Sequence, residues 1–282
     1  MGNKVLVTGA TGNVGAQVVG LLSAAGVAPR ALSRRSDAGL PAGVEVVRGH
    51  HFDPATLEAA LVGVDRVFLM WPAFTAGAAE AVAELIGARR VVLLSSGAVV
   101  DGVAEQPHPI GRFHAEVERA LALARAGAEW TFLRPHGFAT NTRAWAPEIR
   151  AGDVVRGAYG RAASTLIHEA DIAAVAVRAL TTTGHAGARY ELTGPEVLTK
   201  VEQVRVIGEA LGRPLRWEEL SRAEERERSL SWLPESVVDA VLDGQAELVH
   251  RPSAPTAAVE EVTGTPARPF REWVADHVHE FR

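Results

Sequence analysis

A glycine-rich stretch near the start of the chain constrains the fold more than any other feature. The sequence "KVLVTGATGNVG" (4–15) joins an apolar, β-branched run directly to a helix-like segment. Glycines at 9, 12 and 15 permit a tight turn and let backbone N–H groups approach a phosphate, which the positive end of the helix also attracts. A tight turn without a ligand is the alternative. We predict a dinucleotide-binding turn with these cofactor contacts: Gly9, Thr11, Gly12, Asn13, Val14 and Gly15.

The first two thirds of the chain alternates β-branched runs with Ala- and Leu-rich segments. After the run at 4–9, the predicted strands are 28–33, 44–49, 65–70, 89–96, 129–135 and 188–194. The predicted helices are 12–26, 53–63, 76–88, 111–127 and 169–180. Asp53 and Asp171 are predicted to cap two of these helices. Such alternation is typical of β-α units, so the predicted fold class is α/β, with a doubly wound parallel sheet of the Rossmann type.

The pattern changes after Gly194. Residues 199–220 predict a helix and then a short strand, and residues 221–244 are charged and predicted to be helical. We therefore expect a smaller C-terminal substrate lobe beside the sheet. The predicted domains are an NADP-binding Rossmann domain, residues 1–139 and 163–194, and a smaller substrate-binding lobe, residues 140–162 and 195–282.

Two arginines after the second predicted strand bear on the choice of dinucleotide. An acidic residue there would bind the ribose 2′-hydroxyl of NAD(H), whereas arginine accommodates a 2′-phosphate. The sequence reads "RALSRRSDAG", with Ser33, Arg34 and Arg35 at this place and Asp37 beyond it. Two guanidinium groups suit a dianionic phosphate, so NADP(H) is the predicted cofactor. A pair of solvated arginines is the alternative.

Composition narrows the classes of partner. The formal charge of -5 gives no electrostatic reason to expect nucleic acid or an anionic membrane. The longest apolar stretch, 67–74, is shorter than the roughly 20 residues of a membrane span. No cysteine and no His-Glu-x-x-His occur, and His277 and His279 lie on different helix faces, so no metal site is predicted. We expect a cytoplasmic monomer or homodimer that acts on a small, aromatic molecule.

Several stretches together resemble one family. They are "TGATGNVG" (8–15), "RALSRR" (30–35), "VVLLSSGA" (91–98), "RFHAEVERALALARAGAEWTFLRPHGFATN" (112–141) and "DIAAVAVRALTTTGHAGARYELTGPE" (171–196). The chain resembles the NmrA-like group of atypical short-chain dehydrogenase/reductases. That group includes NAD(P)H-dependent quinone and dye reductases as well as catalytically silent cofactor sensors, so the resemblance implies nicotinamide cofactor binding on a Rossmann fold.

The chain lacks a tyrosine that reductases of the wider superfamily use as proton donor. Those reductases place a serine after the fifth strand and a Tyr-x-x-x-Lys motif on the next helix. Ser95 and Ser96 match the serine, Ile110 stands at the tyrosine position and His114 at the lysine position. Neither of the two tyrosines in the chain has a lysine four residues on. We predict Ser95 and His114 as catalytic residues, with Glu118 as a candidate partner for the imidazole.

An alternative role for His114 is to hold the cofactor ribose without taking part in the chemistry. In either case the acceptor must need little help from a protein acid. A quinone, an imine or a conjugated dye takes hydride and gains its proton from water, whereas an unactivated ketone would be a poor substrate. His136 is a second candidate for the missing proton donor.

The ends of the other strands supply further candidate contacts. Because ligands of doubly wound sheets bind at the carboxyl ends of the strands, and because the family flanks its nicotinamide after the sixth strand, the remaining cofactor contacts are Met70, Trp71, Pro72, Ser95, His114, Pro135 and Phe138. The predicted substrate contacts are Phe74, Phe113, Trp145 and Trp232. Each aromatic residue has core packing as its alternative. His50 and His51 stand where relatives commonly carry an acidic residue that binds adenine.

Three functions remain open from the sequence. The first is an NADPH-dependent oxidoreductase that reduces a conjugated or aromatic small molecule, quinone-, imine- or dye-like, by hydride transfer. The second is a non-catalytic NADP(H)-binding redox sensor. The third is a biosynthetic tailoring enzyme that carries out a non-redox reaction on the same fold.

Overall fold

The structure, a computed structural model, describes residues 4–35, 39–72, 74–124 and 128–282. Asp37 and the predicted helix end at 125–127 lie outside the described residues. In chain order, the strands are β1 Lys4–Thr8, β2 Ala28–Ser33, β3 Glu45–Arg48, β4 Arg66–Met70, β5 Arg90–Leu94, β6 Trp130–Pro135, β7 Gly137–Phe138, β8 Val154–Gly157, β9 Ala163–Ser164, β10 Leu166–Ile167, β11 Ala188–Leu192, β12 Leu198–Thr199 and β13 Arg216–Glu219.

Helices separate most of these strands. In chain order, they are α1 Asn13–Ala24, α2 Pro54–Leu61, α3 Ala79–Ile86, α4 Pro109–Leu123, α5 Ala146–Ala151, α6 Glu169–Thr181, α7 Lys200–Leu211, α8 Arg222–Ser229, α9 Glu235–His250, α10 Ala258–Thr263 and α11 Phe270–His277. Two 3₁₀ helices cover Ala139–Trp145 and Val278–Phe281. Of the described helices, none is long and apolar enough to cross a membrane.

Seven strands form one parallel sheet, in the order β11-β6-β5-β4-β1-β2-β3. The chain builds outward from β1 in one direction, through β2 and β3, and then crosses back to β4. This reversal leaves a crevice at the carboxyl ends of β1 and β4, where doubly wound sheets bind ligands. The predicted α/β fold with a doubly wound parallel sheet is confirmed.

Helices cover both faces of this sheet. On one face, apolar residues of the strands pack with α2, α3 and α4 in a single buried cluster that includes Leu6, Leu57, Leu69, Ile86, Leu93 and Val117. Successive strand residues point to opposite faces. On the second face, α1 and α6 pack against each other and against the strands.

Local sequence explains where two of the helices begin. The Asp53 carboxylate accepts a hydrogen bond from the N–H of Ala55, and Pro54 occupies the first helical position, so the predicted start of α2 is confirmed. The predicted N-cap at Asp171 is wrong. Since α6 begins at Glu169, Asp171 lies inside the first turn, where its negative charge still favours the positive end of the helix.

Contacts divide the chain into two compact units. The first contains the chain up to Pro135, Glu169–Leu192 and Glu261–Gly264, and the second contains His136–His168, Thr193–Glu260 and Thr265–Arg282. The sequence pattern assigned β7, β9 and β10 to the Rossmann domain, but these short strands pair with one another or with β12 and belong to the second unit. The functional roles given to the two domains stay predictions.

The second unit has its own core. Its largest fully buried side chains are those of Trp273, Phe270 and Phe281, which pack with α5 and α7. A short parallel pair, β8 with β13, flanks this core. The helical structure predicted over 221–244 is confirmed. It consists of two helices, α8 and α9, because Pro234 lacks an N–H and lies at the start of the second helix.

Candidate functional site

The turn between β1 and α1 is built around close backbone contacts. Gly9 has a φ of +62°, in the left-handed region that favours glycine, and its carbonyl oxygen accepts a hydrogen bond of 2.9 Å from the N–H of Gly12. A Cβ on Gly15 would lie 2.1 Å from the same oxygen. A side chain at Gly15 would therefore push α1 away from the turn.

The start of α1 fits a phosphate. Gly12 occupies the N-cap position, provides no side chain to the first-turn N–H groups, and the first turn contains no acidic residue. Thr11, Gly12 and Asn13 are exposed, whereas Val14 and Gly15 are buried. An anion would therefore meet the first turn of α1 and the positive end of the helix, and the residues present fit the pyrophosphate of a dinucleotide.

The end of β4 lies against this turn. The Thr8 hydroxyl accepts a hydrogen bond of 2.8 Å from the N–H of Met70, and a Cβ on Gly9 would lie 2.6 Å from the Met70 methyl group. The structure thus brings Met70 and the glycine turn together at the crevice between β1 and β4. Met70 is half-buried and Pro72 is exposed.

The two arginines after β2 are exposed. Ser33 is buried, and its hydroxyl accepts a hydrogen bond of 3.1 Å from the N–H of Arg35. The Ser33 carbonyl also accepts from the N–H of Gly49 at 2.8 Å, which joins the ends of β2 and β3. Backbone hydrogen bonds therefore hold the segment that carries Arg34 and Arg35 at the carboxyl edge of the sheet. This segment follows β2, the neighbour of β1, and the glycine turn follows β1.

Trp71 packs in the core. Its ring lies 4.7 Å from the Phe52 ring and 5.8 Å from the His51 ring, measured between centroids, and its indole N–H donates to the Thr75 carbonyl at 2.8 Å. For Trp71 the structure thus agrees with the packing alternative. Direct contact with a cofactor stays a prediction.

His51 is a feature that the sequence reasoning did not single out as a site residue. It is buried, and its Nε2 has no hydrogen-bond partner among the described residues. Burial, and to a smaller extent the neighbouring His50, lowers the pKa of His51 to about 4. The burial of the His51 ring just after β3 depends on how it packs against other segments, so the sequence alone could not indicate it.

His114 is a buried residue of α4, the helix that follows β5. Its Nδ1 has no hydrogen-bond partner among the described residues, and burial lowers the pKa of His114 to about 4. The Phe113 ring lies 4.3 Å from the imidazole and 5.9 Å from the ring of the exposed Phe74. The structure thus brings Phe74, Phe113 and His114 together, with one buried ring nitrogen that has no partner among the described residues.

Ser95 follows β5 and is joined to Glu118 on α4. The Ser95 hydroxyl donates to Glu118 Oε1 at 2.5 Å, and both side chains are buried. Arg134, near the end of β6, donates to the same carboxylate through Nε at 3.0 Å and through Nη2 at 2.7 Å. The predicted pairing of Glu118 with the His114 imidazole is therefore wrong, because the carboxylate faces Ser95 and Arg134.

Arg134 is the centre of a buried ion-pair network. It is 2% exposed and forms two further hydrogen bonds of 2.9 Å with the exposed Asp101 and one of 3.3 Å with Glu191. Burial alone would lower the pKa of Arg134, but the hydrogen bonds to Glu118 and Asp101 outweigh that effect and raise it. The sequence signal for this network is an arginine within a strand pattern that is mostly apolar, "WTFLRP" (130–135).

The remaining predicted contacts are distributed over the two units. Pro135 is buried, and its carbonyl accepts a hydrogen bond of 2.9 Å from the N–H of Gly97, which ties the loop after β5 to the end of β6. Phe138, Trp145 and Trp232 belong to the second unit. Trp145 is half-buried, 5.8 Å from the Trp217 ring, whereas Trp232 is 63% exposed. His136 is exposed.

Comparison with known proteins decides the family. A family described as NAD(P)H-binding matches residues 9–183, well over half of the chain. The chain belongs to this NAD(P)H-binding family. The predicted binding of a nicotinamide cofactor is thereby confirmed. The predicted likeness to atypical short-chain dehydrogenase/reductases and the predicted oxidoreductase class are confirmed by the relatives described next.

Individual relatives agree with this placement. The chain is 43% identical to a (4-alkanoyl-5-oxo-2,5-dihydrofuran-3-yl)methyl phosphate reductase of Streptomyces griseus over 283 residues, 98% of this chain and 99% of that protein. It is 32% identical to an NAD(P)H azoreductase of Xenophilus azovorans, with 98% and 99% covered. The crystal structure of an NADPH-dependent quinone oxidoreductase of Escherichia coli superimposes with a TM-score of 0.77 at 25% identity, over 96% of this chain and 98% of that one.

Proposed function

We propose that this protein is an NADPH-dependent reductase of conjugated carbonyl compounds that accept hydride without an acid from the protein. The observation that carries the proposal is the protonation of the site. His114 is neutral at pH 7 because its pKa is about 4, and the Ser95 proton is directed to Glu118. A substrate that needs a strong proton donor would find none among these residues.

The cofactor would be held by the residues described above. The glycine turn and the start of α1 would bind the pyrophosphate, and Arg34 and Arg35 would bind the 2′-phosphate, which is the reason for naming NADPH. When bound, the reduced nicotinamide supplies a hydride. The exposed Phe74 ring, which packs edge-to-face on the buried Phe113 ring, would offer an apolar surface to a ligand. The Nδ1 atom of His114, which has no hydrogen-bond partner among the described residues, would offer one hydrogen bond to a ligand that reaches it.

The substrate class follows from the same limits. In a 4-alkanoyl-5-oxo-2,5-dihydrofuran the ring C=C bond is conjugated with both a ketone and a lactone carbonyl. Hydride adds to C3, the ring carbon that bears the methyl phosphate group, and leaves a negative charge that both carbonyl oxygens share. The other carbon of the former double bond, C4, can then take its proton from water. The named activity of the Streptomyces griseus relative, at 43% identity, supports assigning this chain a phosphorylated butenolide of that kind.

Turnover with a defined panel tests the proposal. Purified protein is mixed with NADPH and a short-chain 4-acyl butenolide methyl phosphate, its dephosphorylated form, a quinone, an azo dye and cyclohexanone. We expect NADPH oxidation, followed at 340 nm, with the butenolide phosphate above all and none with cyclohexanone. Product analysis should show a saturated ring C–C bond.

The same assay separates the competing functions. Cofactor binding without oxidation across the whole panel would overturn the reductase proposal in favour of a redox sensor. Product formed without net NADPH oxidation would instead support a non-redox tailoring enzyme.

The variant His114→Gln tests whether His114 supplies a proton to the substrate. Because the pKa of His114 is about 4, its imidazole does not titrate between about pH 5.5 and pH 8. Glutamine donates and accepts hydrogen bonds without titrating, so this variant should keep the wild-type pH profile over that range.

A further inference from the structure

The direction of one buried hydrogen bond limits what Ser95 can do. Ser95, Glu118 and Arg134 are each at most 5% exposed, and the Ser95 hydroxyl lies 2.5 Å from Glu118 Oε1. A hydroxyl has a single proton and can accept further hydrogen bonds through its lone pairs. Which group donates in this pair therefore decides what Ser95 can offer to a ligand.

Glu118 is the acceptor because it is ionised. The Arg134 guanidinium donates two hydrogen bonds to the Glu118 carboxylate, from Nε at 3.0 Å and from Nη2 at 2.7 Å. Both side chains are almost completely buried. A guanidinium has only N–H donors, so both carboxylate oxygens of Glu118 act as acceptors towards Arg134. An ionised carboxylate only accepts hydrogen bonds. The proton of Ser95 consequently points to Glu118.

We propose that Glu118 is a positioning residue that holds Ser95 as a hydrogen-bond acceptor, and that Ser95 Oγ accepts the carboxamide N–H of the bound nicotinamide. This inference rests on the proposed function. Because ligands of doubly wound sheets bind at the carboxyl ends of the strands, the nicotinamide of the bound cofactor would lie there. Ser95 immediately follows β5, the neighbour of β4 in the sheet.

The carboxamide is the ligand group that matches this acceptor. The conjugated carbonyl rings proposed as substrates present acceptor oxygens and carry no N–H. An acceptor-only serine would repel such an oxygen, so Ser95 is not the group that stabilises negative charge on the substrate. The carboxamide NH₂ is the N–H donor at the reacting end of the cofactor, and an unpaired buried hydroxyl oxygen gains from meeting it.

A cofactor analogue without this N–H tests the assignment by binding alone. In the 3-acetylpyridine analogue of NADPH, a methyl ketone replaces the carboxamide. We would measure the dissociation constants of both dinucleotides by calorimetry for the wild type, Ser95→Ala and Ser96→Ala. The wild type should bind NADPH about 3- to 10-fold more tightly than the analogue, the range expected for one neutral hydrogen bond. The preference should vanish in Ser95→Ala.

Two matched controls separate this role from a structural one. Ser96 is the next residue, and its hydroxyl accepts from the N–H of Ala98 rather than contacting Glu118, so Ser96→Ala should keep the preference. Glu118→Ala frees the Ser95 proton and should reduce the preference, since the hydroxyl can then donate to the carbonyl oxygen that both dinucleotides carry. Asp101→Ala also removes a carboxylate from Arg134 but leaves the Ser95–Glu118 bond intact, and should keep the wild-type ratio.

The outcomes are distinguishable. An unchanged preference in Ser95→Ala, or no preference in the wild type, would overturn this inference while leaving the proposed reductase in place. Failure of the wild type to bind either dinucleotide would overturn the proposed function and this inference together. Thermal melts report whether Glu118→Ala is folded, and Ser95→Ala decides the question if it is not.

Discussion

Three side chains set the proton chemistry at the residue scale. His114 is neutral at physiological pH, Glu118 is bound to Arg134, and the Ser95 proton is directed to Glu118. Ile110 is predicted to stand where other short-chain reductases carry the phenol. In the proposed reductase, these residues would supply no ready acid, and this would restrict the acceptors that the site can reduce.

Arg34 should decide between the two dinucleotides. Removing its guanidinium in Arg34→Ala deletes a charge-assisted contact to the 2′-phosphate, which NADH does not have. We expect NADPH affinity to fall by about 1 to 3 kcal/mol, with NADH affinity little changed, as measured by calorimetric titration. Arg251→Ala, a change of the same charge at an exposed position of the second unit, is the control. Equal losses for NADPH and NADH would contradict the assignment.

His51 and His114 should make stability depend on pH. Each has a pKa lowered from 6.5 to about 4 by burial, so between these values the unfolded chain binds more protons than the folded one. Stability should therefore be complete above pH 6.5 and fall as the pH drops towards 4, by roughly 1 to 3 kcal/mol for each histidine.

Urea unfolding at several pH values measures this effect. His51→Phe removes one titrating group from an aromatic environment and should flatten the slope between pH 6.5 and 4. His250→Phe, at an exposed position, should leave the slope unchanged. A wild-type slope in His51→Phe would show that its imidazole is accessible to protons in the folded state.

At the scale of elements, glycines set how closely helices approach the loops at the carboxyl edge. Gly15 brings α1 onto the turn after β1, which its place in the glycine pattern predicted. Gly111 does the same for α4, but nothing in the local sequence indicated it. A Cβ on Gly111 would lie 2.2 Å from the carbonyl oxygen of Ala98, in the loop after β5. This contact fixes the distance between α4, which carries His114 and Glu118, and Ser95.

Gly111→Ala should therefore destabilise the protein although alanine favours helices. Since the new methyl group meets backbone, α4 must shift, and we expect a loss of about 1 to 3 kcal/mol in the free energy of unfolding. Gly244→Ala in α9 is the matched control, because its Cβ would meet no atom within 4 Å. It should be neutral or stabilising by up to about 1 kcal/mol. Similar unfolding curves for both variants would show that α4 is not held by this contact.

The elements also show where pattern reading fails. Strand bounds in the central sheet were predicted to within one or two residues, because most of the strands are short runs rich in β-branched and other apolar residues closed by a turn. The charged segment 221–244 was correctly predicted to be helical, but the pattern did not place the break at Pro234 that separates α8 from α9. The short strands β7, β9 and β10 have too few residues to show a period, so their partners decided which unit they join.

At the scale of the whole molecule, two compact units are formed from interleaved segments of the chain. The first holds the seven-stranded sheet, and the second holds a separate core centred on Trp273 and Phe270. The chain matches its relatives over nearly its whole length, so both units belong to the architecture that it shares with them. A dinucleotide site in the first unit is the part that its own geometry supports most directly.

The sequence by itself determined the parallel sheet, the glycine turn and the class of cofactor. These depend on the order of short segments and on backbone freedom at single glycines, which are local properties. Only the tertiary structure decided the partners of Glu118, the burial of Trp71 and His51, and the contact of Gly111 with Ala98. Those facts join residues that are distant in the chain, and the energy that selects among such pairings comes from packing and desolvation, which no local pattern encodes.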